Sequence, residues 1–152
     1  MSNTDYLKKT EADLLPPGFV HGHILRFESD GVFITTEIDG WNPGTREAIE
    51  ICQSEAGNHM PKPGQKRKLS SDVLKLIFLK DKNLIDRGKV YVTSLELYSW
   101  FHQTTSWLAA ACKHYSIPVE LKSYDSKTVR RRVKNVMRQA RREENRGAPI
   151  AS

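Results

Sequence analysis

The sequence predicts an α+β protein: an N-terminal β-hairpin with a short helix, then a mostly helical C-terminal unit compatible with a helix-turn-helix or winged-helix arrangement. Three observations carry this expectation. Residues 19–38 are rich in β-branched and aromatic types and are broken by the turn pair Asp30-Gly31. Hydroxyl residues precede apolar runs at several points in the second half. The charge changes sign midway: residues 1–56 hold ten acidic against four basic side chains, and residues 57–152 hold eight against twenty.

Residues 1–17 form a polar arm ending in Pro16 and Pro17, with room for one short helical piece; packed order is expected from Phe19. Phe19 to Phe27 and Val32 to Ile38 are the two strands of a hairpin. Asp39 to Gly44 is a turn cluster, in which Trp41 is either exposed or closes the hairpin against a helix. Thr45 and Glu47 then open a short helix with Ala48, Ile49, Cys52 and Ala56 as its apolar stripe and Gly57 as its stop. Asn58 to Lys68 contain two prolines and lack a hydrophobic period, which reads as an exposed connector. The domain organisation expected is therefore a flexible arm at 1–17, an acidic unit at 18–57, a basic linker at 58–69, a basic helical unit at 70–147 and a disordered tail at 148–152.

Within the basic unit, Ser70 or Ser71 caps a run over Asp72 to Leu79 that fits a helix or a buried strand, with the serine cap and Asp72 favouring the helix, and Lys89 to Val92 is a short strand. Thr93-Ser94-Leu95-Glu96 matches the reciprocal capping box, so a helix starts near Ser94. The polar stretch around Thr104, Thr105 and Ser106 offers a second cap for a helix from Trp107 to Tyr115. Tyr98, Trp100, Phe101 and Trp107 are expected in the core more than as base-stacking surfaces. Val119 to Leu121 is a brief strand or extended link.

Ser126 to Arg146 reads as a final amphipathic helix. At 100° per residue Val129, Val133, Val136, Met137 and Ala140 share one side, while Arg130, Arg131, Lys134, Arg138, Arg141 and Arg142 share the other. Guanidinium forks suit phosphate oxygens and guanine edges. With Lys127 at its start, this helix is the expected nucleic-acid-binding face, and Lys66, Arg67 and Lys68 are a second grip on the backbone or a nuclear import signal. The bland reading of both is a solvated charged surface.

His21 and His23 are expected on one sheet face because alternate residues point the same way, but two imidazoles without a third ligand do not make a zinc site, so no metal is assigned. Strand His-x-His also occurs in metal-dependent nickases; there the central residue is bulky, whereas here it is Gly22. Cys112 and His114 are two apart on a helix and face different ways. No phosphate-cradling glycine loop, serine elbow or Cys-x-x-Cys is present. Cys52 and Cys112 read as small buried residues in a reducing, intracellular setting, cytoplasmic or, in a eukaryote or its virus, nuclear. The longest apolar runs fall far short of the roughly 20 residues that span a bilayer, and no secretory pattern opens the chain.

The function expected from sequence is that of a non-enzymatic protein of regulatory type that binds DNA or RNA, without a cofactor. Its acidic half would meet a protein partner or a second copy. The alternative is an adaptor, or an accessory protein of a virus or mobile element, docking on an acidic protein; a metal-dependent nuclease ranks third.

Overall fold

The computed structural model describes residues 11–53, 61, 63–103 and 106–122. It is a mixed α+β fold around one five-stranded sheet. The strands are β1 (Val20–Ser29), β2 (Val32–Asn42), β3 (Glu47–Cys52), β4 (Arg87–Val92) and β5 (Val119–Leu121), lying side by side in chain order. The first three run as an antiparallel meander, and β3–β4 and β4–β5 are parallel pairs. Parallel neighbours need a crossover. Helix α1 (Pro63–Asp81) supplies the first, and α2 (Leu95–Phe101) with α3 (Trp107–Tyr115) supplies the second. The sheet thus continues from one side of residues 58–69 to the other.

Local chemistry accounts for most boundaries. Asp30 and Gly31 take φ of 50° and 80°, the left-handed pair that a two-residue hairpin turn requires, so the expected hairpin forms. Ser94 starts α2 by accepting the Leu97 amide at 3.2 Å, and Ser106 starts α3 by accepting the Ala109 amide at 3.2 Å. The short strands expected near Lys89 and Val119 are β4 and β5.

Four expectations are corrected. Residues 47–52 form a strand, not a helix: β3 is central, all but its first residue are buried, and a strand covered on both faces loses its alternating pattern. Helix α1 begins at Pro63, inside the expected connector, so Lys66, Arg67 and Lys68 are helical; proline is well suited to the first helical position. Ser70 and Ser71 are therefore interior, and the Ser70 hydroxyl donates to the Lys66 carbonyl at 2.9 Å rather than capping. Packing starts before Phe19, since residues 11–14 are helical and Leu14 and Leu15 lie against Ile49, Ile51 and Tyr91. In the described part of the C-terminal unit, α2 and α3 connect two strands of the sheet, and no helix-turn-helix is established. The expected final helix and the tail lie outside the described residues.

The sheet is covered on both sides. On one, Ala48, Cys52, Val90 and Val92 meet Leu69, Val73, Leu76 and Leu79 of α1 together with Leu97, Phe101, Leu108 and Cys112. Burying each of the larger aliphatics contributes about 1.5–3 kcal/mol. On the other, Ile49, Ile51 and Tyr91 are closed over by Leu14, Leu15 and Phe19. Both cysteines are buried and unpaired, as expected. No helix among the described residues is long and apolar enough to cross a membrane.

Candidate functional site

Strand alternation places Glu50 on the same side of the sheet as Ala48 and Cys52, under helix α1. A carboxylate there is costly unless paired. Its partner comes from the helix: the Lys75 ammonium donates to Glu50 Oε1 at 2.9 Å and to the Glu37 carbonyl at 3.0 Å. Two helical turns before Lys75, Lys68 donates to both oxygens of Asp72, at 2.6 and 2.7 Å. Lys68, Asp72 and Lys75 fall at spacings of four and three, so α1 presents them on one face.

Beside this face the sheet opens. The β2–β3 ladder runs from Asn42↔Glu47 to Gly40↔Ile49, and beyond it the Ile51 amide donates to the Asp39 carboxylate at 2.7 Å. Asp39 thereby stands where the strands separate, next to Glu50. The helical turn at residues 11–14 brings a further carboxylate, Glu11, whose Oε2 lies 3.3 Å from His21 Nε2.

These groups share one field. Burial, then the charge of Asp39, pushes Glu50 up to about 8 against the opposing pull of Lys75. Burial and then Asp39 also raise Glu11, with His21 opposing, and burial raises Asp72 against the pull of Lys68. Burial works to lower Lys68, but Asp72 outweighs it, and the ammonium ends above its ordinary value. Cys52, between these groups, is raised to about 12 by burial and then Asp72, so it stays a thiol. Four carboxylates, two of them buried, thus share a field with two ammonium groups. Such an excess of negative charge favours the uptake of a proton or of a cation.

Asp39 and Glu50 supply hard oxygen donors from neighbouring strands. Among the described residues no three His, Cys, Asp or Glu side chains are gathered as a ready-made metal cage. Magnesium does not need one. It is held by one or two carboxylates together with waters and substrate phosphate, and that donor set fits these two residues.

The residues singled out from sequence fall in three groups. Lys66, Arg67 and Lys68 lie in the first two turns of α1; Lys68 enters the cluster, Lys66 sits 4.9 Å above the Trp100 ring, and Arg67 is exposed. Lys127, Arg130, Arg131, Lys134, Arg138, Arg141 and Arg142 lie outside the described residues. His21 and His23 do not share a face: His21 meets Glu11, whereas His23 stacks on Trp41 at 5.2 Å, a ring that packs against the helix-side core. Gly22 between them, at φ 77°, breaks the alternation. Trp107, expected in the core, is 75% exposed, while Phe101 is buried as expected. Cys112 is buried and His114 exposed, so they form no pair. Sequence reasoning missed Glu11, Glu50, Asp72 and Lys75, and it weighed Asp39 only as a supporting ligand for His21 and His23. The legible trace was the 68, 72, 75 spacing, which reads as an ordinary charged helix face until its acidic partners on the sheet are seen.

No protein-family model matches this chain, and no curated protein or solved structure is detectably similar to it.

Proposed function

We propose that this protein binds nucleic acid and cleaves its phosphodiester backbone, using Asp39 and Glu50 to hold a divalent cation. The observation that carries the reading is the meeting of two opposite features at one place: the basic stretch Lys66–Lys68 opens the helix that covers the buried carboxylates. Cations that attract phosphate and carboxylates that bind a metal are both required for metal-assisted hydrolysis. A purely solvated charge face would not bury Glu50 and Asp72, which are 1% and 2% exposed.

The basic surplus of residues 57–152 supplies affinity for the polyanion. Asp39 and Glu50 hold the cation, and the Ile51 amide fixes the Asp39 carboxylate. When bound, a divalent cation polarises a phosphoryl oxygen and acidifies a coordinated water. The ammonium groups of α1 offset charge on the phosphate. Overall, a water oxygen bonds to phosphorus, the bond to one ester oxygen breaks, that oxygen takes up a proton, and the water's proton leaves to solvent. The products are a phosphate monoester and a hydroxyl end. Three of the ten acids of the N-terminal part, Glu11, Asp39 and Glu50, lie in this cluster, which supports a catalytic reading over the non-enzymatic one expected from sequence.

Labelled single-stranded and duplex DNA and RNA, each with magnesium, manganese or a chelator, test the proposal. Cation-dependent cleavage that is lost in Asp39→Asn and Glu50→Gln is expected. Binding without cleavage returns the protein to the non-enzymatic class, and indifference to every oligonucleotide assigns it to adaptors of acidic proteins.

A further inference from the structure

The two lysines of α1 are not equivalent. Lys75 is engaged at both ends of its reach: it donates to Glu50 and to the Glu37 carbonyl, bridging β3 to β2 where those strands part. Its side chain is 29% exposed. An ammonium so placed is a strap. Among the described residues Lys68 pairs with one carboxylate, Asp72, and its side chain is 51% exposed while that of Asp72 is 3% exposed. The buried acid is therefore an anchor beneath a cation that stands at the surface of the cluster. The charge of Lys68 also acts on Glu11, Glu50 and Cys52, so it stands within electrostatic reach of the carboxylate group. Lys68 follows directly on Lys66 and Arg67 in the first two turns of the helix.

Resting on the cleavage reading above, we infer that Lys68 is the catalytic cation that touches the scissile phosphate, and that Asp72 is its positioning residue. Three N–H groups are available on an ammonium; two are directed at Oδ1 and Oδ2 of Asp72, and the third is the one offered to a non-bridging phosphate oxygen. In the transition state that oxygen gains negative charge, and a fixed cation stabilises it more than it stabilises the ground state. No proton is transferred by Lys68 in this step. Asp72 lowers the reorganisation needed by holding the ammonium in place and keeping it charged. Lys75 acts on the geometry of the opening and does not touch the substrate.

A double-mutant cycle on the full chain separates these roles. Lys68→Met should lower kcat by about 10²- to 10³-fold with KM little changed, and Asp72→Asn should lower it by about 10- to 100-fold. The double variant should be no slower than Lys68→Met alone, because Asp72 acts only through Lys68. Asp72→Glu, which keeps the charge, should recover part of the loss. Circular-dichroism melts identify any variant that has merely unfolded; for Asp72, Asp72→Glu then carries the comparison, and for Lys68, Lys68→Gln does. Active wild type with Lys68→Met at full rate, or with purely additive effects in the cycle, overturns this inference and leaves the cleavage reading standing. Wild type that binds but never cleaves overturns both.

Discussion

At the residue scale, Glu50 governs how this molecule responds to pH. Its carboxyl is pushed up to about 8 from an ordinary value of 4.5, first by burial and then by Asp39. Between those values the folded protein holds a proton that the unfolded chain has released. The folded state then binds more protons, so stability falls as pH rises through that window and levels off above it. Glu11 and Asp72 are shifted in the same direction and add to the slope. Glu50→Gln removes the largest contribution while keeping an acceptor for Lys75. We expect that variant to melt higher than wild type at pH 8, to differ little at pH 4.5, and to be inactive; thermal melts across that range check the first two. A residue that destabilises the fold it sits in is best explained by a task, since evolution could replace it with a neutral isostere at no structural cost. The same excess charge makes a cation a stabiliser. Calcium or magnesium should raise the melting temperature at pH 8 and do so less at pH 5.5, where protons compete for the carboxylates. An equal shift at both values, or none, would mean the cluster takes up no cation.

At the element scale, α1 serves as a lid whose two faces do different things. Leu69, Val73, Leu76 and Leu79 close the core, and Lys68, Asp72 and Lys75 face the carboxylates. Leu76 is fully buried and touches the close approach at Gly88, where a Cβ would stand 3.2 Å from Leu76 Cβ. Leu76→Ala should cost about 2–5 kcal/mol of stability, read by chemical denaturation, whereas Ser106→Ala at the start of α3 should cost only about 1 kcal/mol. Elements with a local signal were legible in the sequence. The hairpin declared itself through Asp30-Gly31, and α2 and α3 through Ser94 and Ser106. β3 was not legible, because Ala48 to Cys52 are buried on both sides and a short run interrupted only by Glu50 fits helix and strand alike. The start of α1 was masked by prolines that break a helix interior but open a helix well. The site was illegible for a related reason. Asp39, Glu50 and Lys68 approach one another only once β3 pairs with β2 and α1 folds back over the sheet, and misreading β3 as a helix removes that geometry.

At the scale of the whole molecule, the two charge regimes of the sequence acquire separate tasks. The acidic part contributes Glu11, Asp39 and Glu50 and the strands that carry the last two, while the basic part, running from α1 to the end of the chain, adds Asp72 and, in the proposed function, affinity for a polyanion. These tasks are separable by experiment. Reversal of Arg130, Arg131, Lys134 and Arg138 to Glu leaves Asp39, Glu50 and Lys68 unaltered, so the melting temperature of the folded unit and its response to calcium should stay as in wild type. Binding should not. If about six side chains neutralise phosphates, affinity falls roughly as the fifth power of salt concentration, and removing four of them flattens that dependence by about four units while weakening binding to all sequences alike. Titrations of labelled oligonucleotide at several salt concentrations measure both quantities in one series. Cleavage of a saturating substrate should then persist while kcat/KM collapses, the division expected when one region captures the strand and another breaks it. Should the quadruple variant bind with the same affinity and salt slope as wild type, the C-terminal arginines take no part in capture, and Lys66, Arg67 and Lys68 at the head of α1 must carry it alone.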